Sequence, residues 1–239
     1  MNKRGFCLYA SSINEDWPSL VALQPGALVA IDPHHLPRAL GPSCYWLWRP
    51  WVPGNMYNWT PAGWVERVHL EWERKGAHPF HGLQFLNEPR LESKAGVPDI
   101  IAWGRAVIAL VRRAWGTDFD IHSPPLSPHV AGWEDCYMQL APLIRECDVL
   151  NVHTYLDMPR SYEVPHQLYP AWPLVISECG DRGQGSAAYA ARLQDWLSTL
   201  PAYVDWAAIY IYNSTDGQDP TWELHGTAAE RVLIAEGPP

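Results

Sequence analysis

A regular alternation of short apolar segments with longer amphipathic ones constrains the fold of this chain most strongly. Short apolar runs bounded by turn residues are typical of strands that are buried on both faces of a sheet. The sequence contains eight of them, and they predict strands at Gly5–Ala10, Ala27–Ile31, Cys44–Trp48, Gly82–Leu86, Asp118–Ile121, Val149–His153, Leu174–Ser177 and Trp206–Tyr212.

Most of the gaps between these strands carry helical patterns. In the clearest, the apolar residues Ile100, Trp103 and Val107 recur at helical spacing. Two gaps, Pro33–Leu40 and Ser161–Pro170, are rich in proline and predict only a turn of helix or a loop. Helices are predicted at Asp16–Leu23, Thr60–Lys75, Asp99–Trp115, Trp133–Cys147, Ser186–Leu200 and Gly226–Ala235.

Strands that alternate with crossover helices form parallel sheets, because each crossover returns the chain to the same edge. Eight such units predict an α/β protein, a single compact (β/α)8 TIM barrel spanning residues 1–239. A doubly wound open sheet is the alternative. It is disfavoured because no glycine-rich phosphate loop follows the first strand.

Composition excludes several classes of function. The 239 residues carry a formal net charge of −9 and contain no block of Lys or Arg, so a nucleic-acid partner is not expected. No apolar run is long enough to span a membrane, and the segment after Met1 lacks a signal-peptide pattern. The chain has five cysteines and no C-x-x-C pair, which argues against a disulfide framework and against a zinc site. Reduced cysteines suggest a cytoplasmic protein or one released by lysis; the protein would be secreted if a leader has been removed. We expect a monomer.

The aromatic residues point to a polar ligand with flat apolar faces. The chain has 14 Trp and 11 Tyr but only 4 Phe. Trp and Tyr are preferred over Phe where an apolar face lies beside a polar group. One interpretation is that some of a cluster of tryptophans stack on sugar rings; the other is that they pack helices against the barrel wall. The cluster comprises Trp46, Trp48, Trp51, Trp59 and Trp64.

Polar side chains follow the predicted strands at their carboxyl ends, where barrels of this type hold their chemistry. Two of them are glutamates, Glu88 and Glu178. A pair of carboxyl groups can divide acid and nucleophile roles if one is protonated near neutral pH and the other is ionised. Arg49 and Tyr155 would favour the ionised form of a nearby glutamate. The other candidates are Asn87, His122, His153 and Tyr212.

Three of these motifs together resemble the retaining glycosidases of glycoside hydrolase clan A, which include cellulases, mannanases and β-1,3-glucanases. The motifs are Asn87-Glu88-Pro89, His153-x-Tyr155 and Ser177-Glu178, on the fourth, sixth and seventh strands. The resemblance implies that Glu88 is the acid/base and that Glu178 is the nucleophile.

The same resemblance implies roles for the neighbouring residues. Asn87 would bind the sugar 2-hydroxyl, Tyr155 would orient Glu178, His153 would line the cleft, and Arg49 would be the site arginine. Clan members usually have a Trp at the end of strand 8, where this chain has Tyr210 and Tyr212. The floor of the sugar subsite would then come from Trp222 or Trp48.

The predicted substrate is an oligosaccharide or polysaccharide, cleaved internally. A β-glucan such as β-1,3-glucan is favoured because small β-1,3-glucanases of this clan have a similar length. A cell-wall-lysing glycosidase and a non-catalytic carbohydrate-binding barrel stay open as alternatives. No cofactor is expected, and no metal, because His34-His35 has no further ligand at suitable spacing. His122 is either a substrate contact or a structural histidine.

Overall fold

A computed structural model of the chain describes residues 2–8, 13–31, 40, 43–50, 56–74, 80–181, 183–213 and 222–239. All eight predicted strands are confirmed, with shifts of a few residues at their ends. The strands are β1 (Arg4–Leu8), β2 (Ala27–Ala30), β3 (Tyr45–Trp48), β4 (Gly82–Gln84), β5 (Asp120–His122), β6 (Leu150–His153), β7 (Leu174–Cys179) and β8 (Val204–Asn213).

The strands form one parallel sheet that curls into a nearly closed barrel. Its order is β5-β4-β3-β2-β1-β8-β7-β6, so β1 pairs with both β2 and β8. The two outer strands, β5 and β6, meet through a parallel bridge between His122 and Val149. The Ser123 N–H donates to the Val149 carbonyl at 2.9 Å across this junction. The barrel prediction is therefore confirmed, and the open-sheet alternative is wrong because β5 and β6 would not meet in it.

Helices fill the crossovers. In the described residues they are α1 (Ile13–Ala22), α2 (Pro61–Arg74), α3 (Pro89–Glu92), α4 (Val97–Trp115), α5 (Trp133–Gln139), α6 (Ala141–Ile144), α7 (Arg160–Leu168), α8 (Ala187–Thr199) and α9 (Ala228–Glu236). A short 3-10 helix covers Met56–Asn58. Within the described part of the chain, no helix is both long and apolar enough to cross a membrane.

Two of the described crossovers differ from the prediction, and each contains a proline. The turn of helix or loop predicted over Pro33–Leu40 lies outside the described residues, apart from Leu40. The helix expected over Trp133–Cys147 is divided into α5 and α6, because Pro142 has no N–H with which to continue the ladder. Instead of the single helical turn or loop expected over Ser161–Pro170, the structure has the nine-residue helix α7, with Pro165 inside it. Ser161, Tyr162 and Pro165 are buried, and α7 packs against β6, so tertiary packing offsets the hydrogen bond that Pro165 cannot make.

Strand alternation separates two apolar regions. The larger lies between the barrel and its helices, and the smaller fills the barrel interior with residues such as Val29, Leu47 and Val175. Residues two positions beyond an interior residue point the same way. On β3, Leu47 faces the barrel interior, so Arg49, two residues further on, also points inward at the barrel mouth.

Candidate active site

A cavity of about 320 Å³ opens at the mouth formed by the carboxyl ends of the strands. It lies where (β/α)8 barrels hold their functional residues. Four residues predicted from the sequence line it, together with aromatic and apolar side chains. The lining includes Arg49, Asn87, Glu88, Glu178, Gln84, Glu92, Trp59, Trp64, Trp103 and Tyr210.

An irregularity in β7 turns Glu178 toward this cavity. Val175 faces the barrel interior, so strict alternation would place Ser177 inside and Glu178 outside. The pairing of β6 with β7 instead shifts by one residue at this point. Val152 pairs with Ile176, but the next residue of β6, His153, pairs with Glu178, so Ser177 is left without a partner in the register. The extra residue forms a β-bulge, a feature that re-aims side chains. Glu178 consequently points inward, and Cys179 packs among the side chains outside the barrel.

Arg49 holds the Glu178 carboxylate in a buried ion pair. Its Nη1 lies 2.9 Å from Glu178 Oε2, and both side chains are about nine-tenths buried. Burial lowers the pKa of Arg49, but contacts with Cys7 and Glu178 raise it above its ordinary value. The guanidinium therefore keeps its charge and presents it directly to the Glu178 carboxyl group.

Glu88 follows β4 in an unusual backbone conformation. Its φ of 33° is left-handed, which costs roughly 1–3 kcal/mol for a residue other than glycine. Pro89 disfavours the right-handed helical conformation in the residue before it. The Glu88 carbonyl accepts hydrogen bonds from the N–H groups of Leu91 and Glu92 at 2.8 and 2.9 Å, which fixes the turn.

The Glu88 carboxyl pairs with His153. The Nδ1 atom of His153 lies 2.8 Å from Glu88 Oε1. Burial raises the pKa of Glu88, but the hydrogen bond and charge of His153, a hydrogen bond from Ser127 and the charge of Arg49 outweigh it, so the pKa is lowered. The predicted division of roles requires one carboxyl group to be protonated near neutral pH. In this structure Glu88 instead favours the ionised form, because its neighbours are hydrogen-bond donors and cations.

The same imidazole spans the gap between the two carboxyl groups. His153 Nε2 lies 3.7 Å from Glu178 Oε2, too far for a hydrogen bond but close enough for electrostatic coupling. His153 is fully buried and follows Asn151 on the inward face of β6. One ring thus connects Glu88 on β4 with Glu178 on β7.

A chain of amides and a third carboxyl group surround Asn87. Asn151 donates to Gln84 Oε1 at 3.0 Å, and Gln84 Nε2 donates to Asn87 Oδ1 at 3.0 Å. Asn87 Nδ2 in turn donates to Glu92 Oε1 at 2.6 Å. Glu92 is an exposed residue, but partial desolvation at the cavity wall raises its pKa, and Glu88 and Glu178 add to this effect, whereas Asn87 and Arg49 oppose it. The net direction is upward.

The sequence pattern does not predict Gln84, Glu92 or Ser127 as site residues. A signal for Gln84 is present in the sequence, since it is a polar residue inside an apolar strand and would need a buried partner. Glu92 gives no such signal, because a glutamate in a turn is normally a solvated charge.

Some predicted residues lie away from the cavity. Trp48 points outward and packs against Phe80 and Trp115, with ring centroids 5.2 and 6.3 Å away. His122 is fully buried in the barrel, where its Nε2 lies 2.9 Å from the Tyr45 hydroxyl, and burial lowers its pKa to about 3. The structure therefore brings neither of them to the mouth.

Tyr155 lies on the rim of the mouth. Its ring contacts His129 at 4.7 Å and Trp222 at 5.9 Å between centroids. Burial raises the pKa of Tyr155, and the carboxylates of Glu178 and Glu88 raise it further. The side chain of Tyr212 lies outside the described residues, as does Trp51.

The tryptophan cluster divides between the outside of the barrel and the cavity. Trp46 and Trp48 pack outside the barrel, whereas Trp59 and Trp64 line the cavity. Trp103, on α4, joins them: it lies edge-on to Trp64 at 5.8 Å, and its Nε1 donates to the Trp59 carbonyl at 2.9 Å. Only Trp59 of these three is partly exposed, so it alone offers an accessible face.

No group of three His, Cys, Asp or Glu side chains in the described ranges could hold a metal ion. His34 and His35, the pair for which the sequence raised a metal, lie outside those ranges.

Several solved structures that share this fold are glycoside hydrolases. A family 128 (subgroup IV) endo-β-1,3-glucanase from Lentinula edodes is 18% identical with a TM-score of 0.62, over 97% of this chain and 98% of its own. A family 128 (subgroup VI) exo-β-1,3-glucanase from Aureobasidium namibiae is 17% identical with a TM-score of 0.61, over 94% and 88% of the two chains. A family 5 xyloglucan-specific endo-β-1,4-glucanase from a metagenomic library is 14% identical with a TM-score of 0.60, over 96% and 89%.

With identities this low, the structural similarity shows a common fold alone. No protein-family model matches the chain, and no curated protein matches its sequence.

Proposed function

We propose that this protein is a retaining glycoside hydrolase that cleaves a β-linked glucan, with Glu88 as acid/base and Glu178 as nucleophile. The observation that carries the proposal is the pair of buried glutamates at one cavity, joined through a single imidazole and held by different partners. The resemblance of the motifs to clan A and the glycoside hydrolases that share the fold support it. A β-1,3-glucan is favoured because two of those enzymes are β-1,3-glucanases.

The two glutamates are equipped for different steps. Glu178, paired with Arg49, would attack the anomeric carbon as the glycosidic bond breaks, while Glu88, in its minor protonated form, gives its proton to the leaving oxygen. Glu88, now ionised, would then take a proton from the water that hydrolyses the glycosyl ester on Glu178. Hydrogen bonding to His153 favours the ionised Glu88 that this second step needs.

The test compares Glu88→Gln and Glu178→Gln with the unmodified protein on β-1,3-glucan, β-1,4-glucan, mannan, xylan and peptidoglycan, by release of reducing ends. We expect hydrolysis of β-1,3-glucan and a loss of about 10²–10⁴-fold or more in each variant. The exposed Glu66→Gln on α2 is the matched control and should keep full activity. Activity that survives Glu178→Gln would refute the mechanism, and glycan binding without product would favour the non-catalytic barrel.

Azide rescue assigns the roles. In Glu178→Ala, azide can replace the missing nucleophile on an aryl β-glycoside and should give the α-glycosyl azide. In Glu88→Ala, azide should attack the glycosyl-enzyme and give the β-glycosyl azide. An exchange of these products between the variants would reverse the assignment.

A further inference from the structure

The Asn87 amide is held at both of its ends. Its Oδ1 accepts from Arg49 Nη1 at 3.1 Å and from Gln84 Nε2 at 3.0 Å, which occupies both lone pairs of the carbonyl oxygen. Its Nδ2 donates to Glu92 Oε1 at 2.6 Å. Because an amide nitrogen carries two hydrogens, one N–H is left for another acceptor.

These contacts also fix which way the amide faces. A flipped amide would place its NH2 group against two donors, Arg49 and Gln84, and its oxygen against the Glu92 carboxylate. Gln84 cannot turn to accommodate the flip, because Asn151 donates to its Oε1 and its own Nε2 also donates to the Leu86 carbonyl at 3.2 Å. Gln84 is fully buried, so an unmet polar atom on its amide would be costly.

Glu92 reaches Asn87 through the turn that positions Glu88. Helix α3 is a single turn, and the N–H of Glu92 donates to the Glu88 carbonyl at 2.9 Å. This turn returns the side chain of residue 92 to the cavity lining beside Asn87. The carboxylate oxygen is a strong acceptor and polarises the amide, which makes the remaining N–H a better donor.

We propose that Glu92 is a positioning residue that orients the Asn87 amide, so that its second N–H binds the 2-hydroxyl of the sugar at the cleaved bond. This inference rests on the proposed function and adds a specificity determinant to it. Glu92 acts through Asn87, so its effect depends on whether the substrate has that hydroxyl.

The test measures kcat/KM for two probes, using the full chain. One is the 4-nitrophenyl β-glycoside of a β-1,3-linked glucose disaccharide, and the other lacks the 2-hydroxyl on the sugar that bears the nitrophenyl group. Glu92→Ala should lose about tenfold on the first probe, the value of one hydrogen bond. On the second probe, the same variant should stay within about twofold of the unmodified protein.

Two controls isolate the hydrogen bond. Glu92→Gln keeps an acceptor oxygen without the charge and should stay closer to the unmodified protein than Glu92→Ala on the first probe. Glu66→Ala, an exposed glutamate on α2, should change neither rate, and thermal melting checks that each variant folds.

An equal loss on both probes, or no loss on either, would overturn the role of Glu92. So would a Glu92→Gln variant as impaired as Glu92→Ala, since the charge rather than the acceptor would then matter. The proposed function is tested separately, by hydrolysis of the first probe and its abolition in Glu178→Gln.

Discussion

The buried ion pair between Arg49 and Glu178 gives the sharpest quantitative prediction. Arg49→Met keeps an apolar side chain of comparable reach but leaves the Glu178 carboxylate buried without its cation. The next cation candidate, His153 Nε2, is 3.7 Å away and makes no hydrogen bond to it. Removing one member of a buried pair costs about 3–5 kcal/mol, because the other charge stays desolvated. For a chain of this size that corresponds to a fall in melting temperature of roughly 6–20 °C.

An exposed ion pair elsewhere provides the matched control. Arg160 Nη2 lies 2.8 Å from Glu134 Oε1, a distance close to that of the buried pair, but its side chains are 68% and 40% exposed, against 9% and 10% for Arg49 and Glu178. Arg160→Met should therefore cost about 0–1 kcal/mol.

The assay is urea unfolding at neutral pH, with the double variant Arg49→Met/Glu178→Gln alongside the single ones. Removing both charges should recover at least half of the loss, since no unpaired charge is left. The reasoning is refuted if Arg49→Met costs no more than Arg160→Met, or if the double variant is as unstable as Arg49→Met.

Two further predictions concern the site. His153→Gln removes the imidazole that lowers the pKa of Glu88, so burial should raise that pKa. Since the acid must be protonated to act, the alkaline limb of the kcat/KM–pH profile should move to higher pH. A limb that stays or moves to lower pH would contradict the pairing of Glu88 with His153. Trp59→Ala should weaken glucan binding about 3- to 10-fold, measured by inhibition with an oligosaccharide, with little change in stability. Replacement of the buried Trp64 by Ala should lower the free energy of unfolding by about 3–5 kcal/mol, measured by urea unfolding.

The pattern of the chain predicted the barrel because each strand and crossover is encoded locally. Apolar runs and helical stripes depend on nearest neighbours in sequence, so all eight strands could be placed within a few residues. Helix α7 was missed because Pro165 is unfavourable locally and is tolerated only where Tyr162 is buried against the barrel. Trp48 was proposed as a possible platform because sequence does not say which face of a strand is outside.

Some of the site could be predicted and some could not. Glu88, Glu178, Arg49 and His153 lie at strand ends, a position that can be read from the chain once the strands are assigned. Glu92 belongs to the site only because a one-turn helix returns it to the cavity, and nothing in its neighbours indicates that.

The sequence by itself determined the eight-stranded α/β architecture and the presence of two glutamates at strand ends, since both follow from local pattern. The tertiary structure decided which way those glutamates point and what they contact. A bulge in β7 turns Glu178 inward, and the left-handed backbone conformation of Glu88 places its carboxyl group beside His153. It also lowered the pKa of Glu88, because protonation equilibria depend on burial and on charges brought together from distant strands.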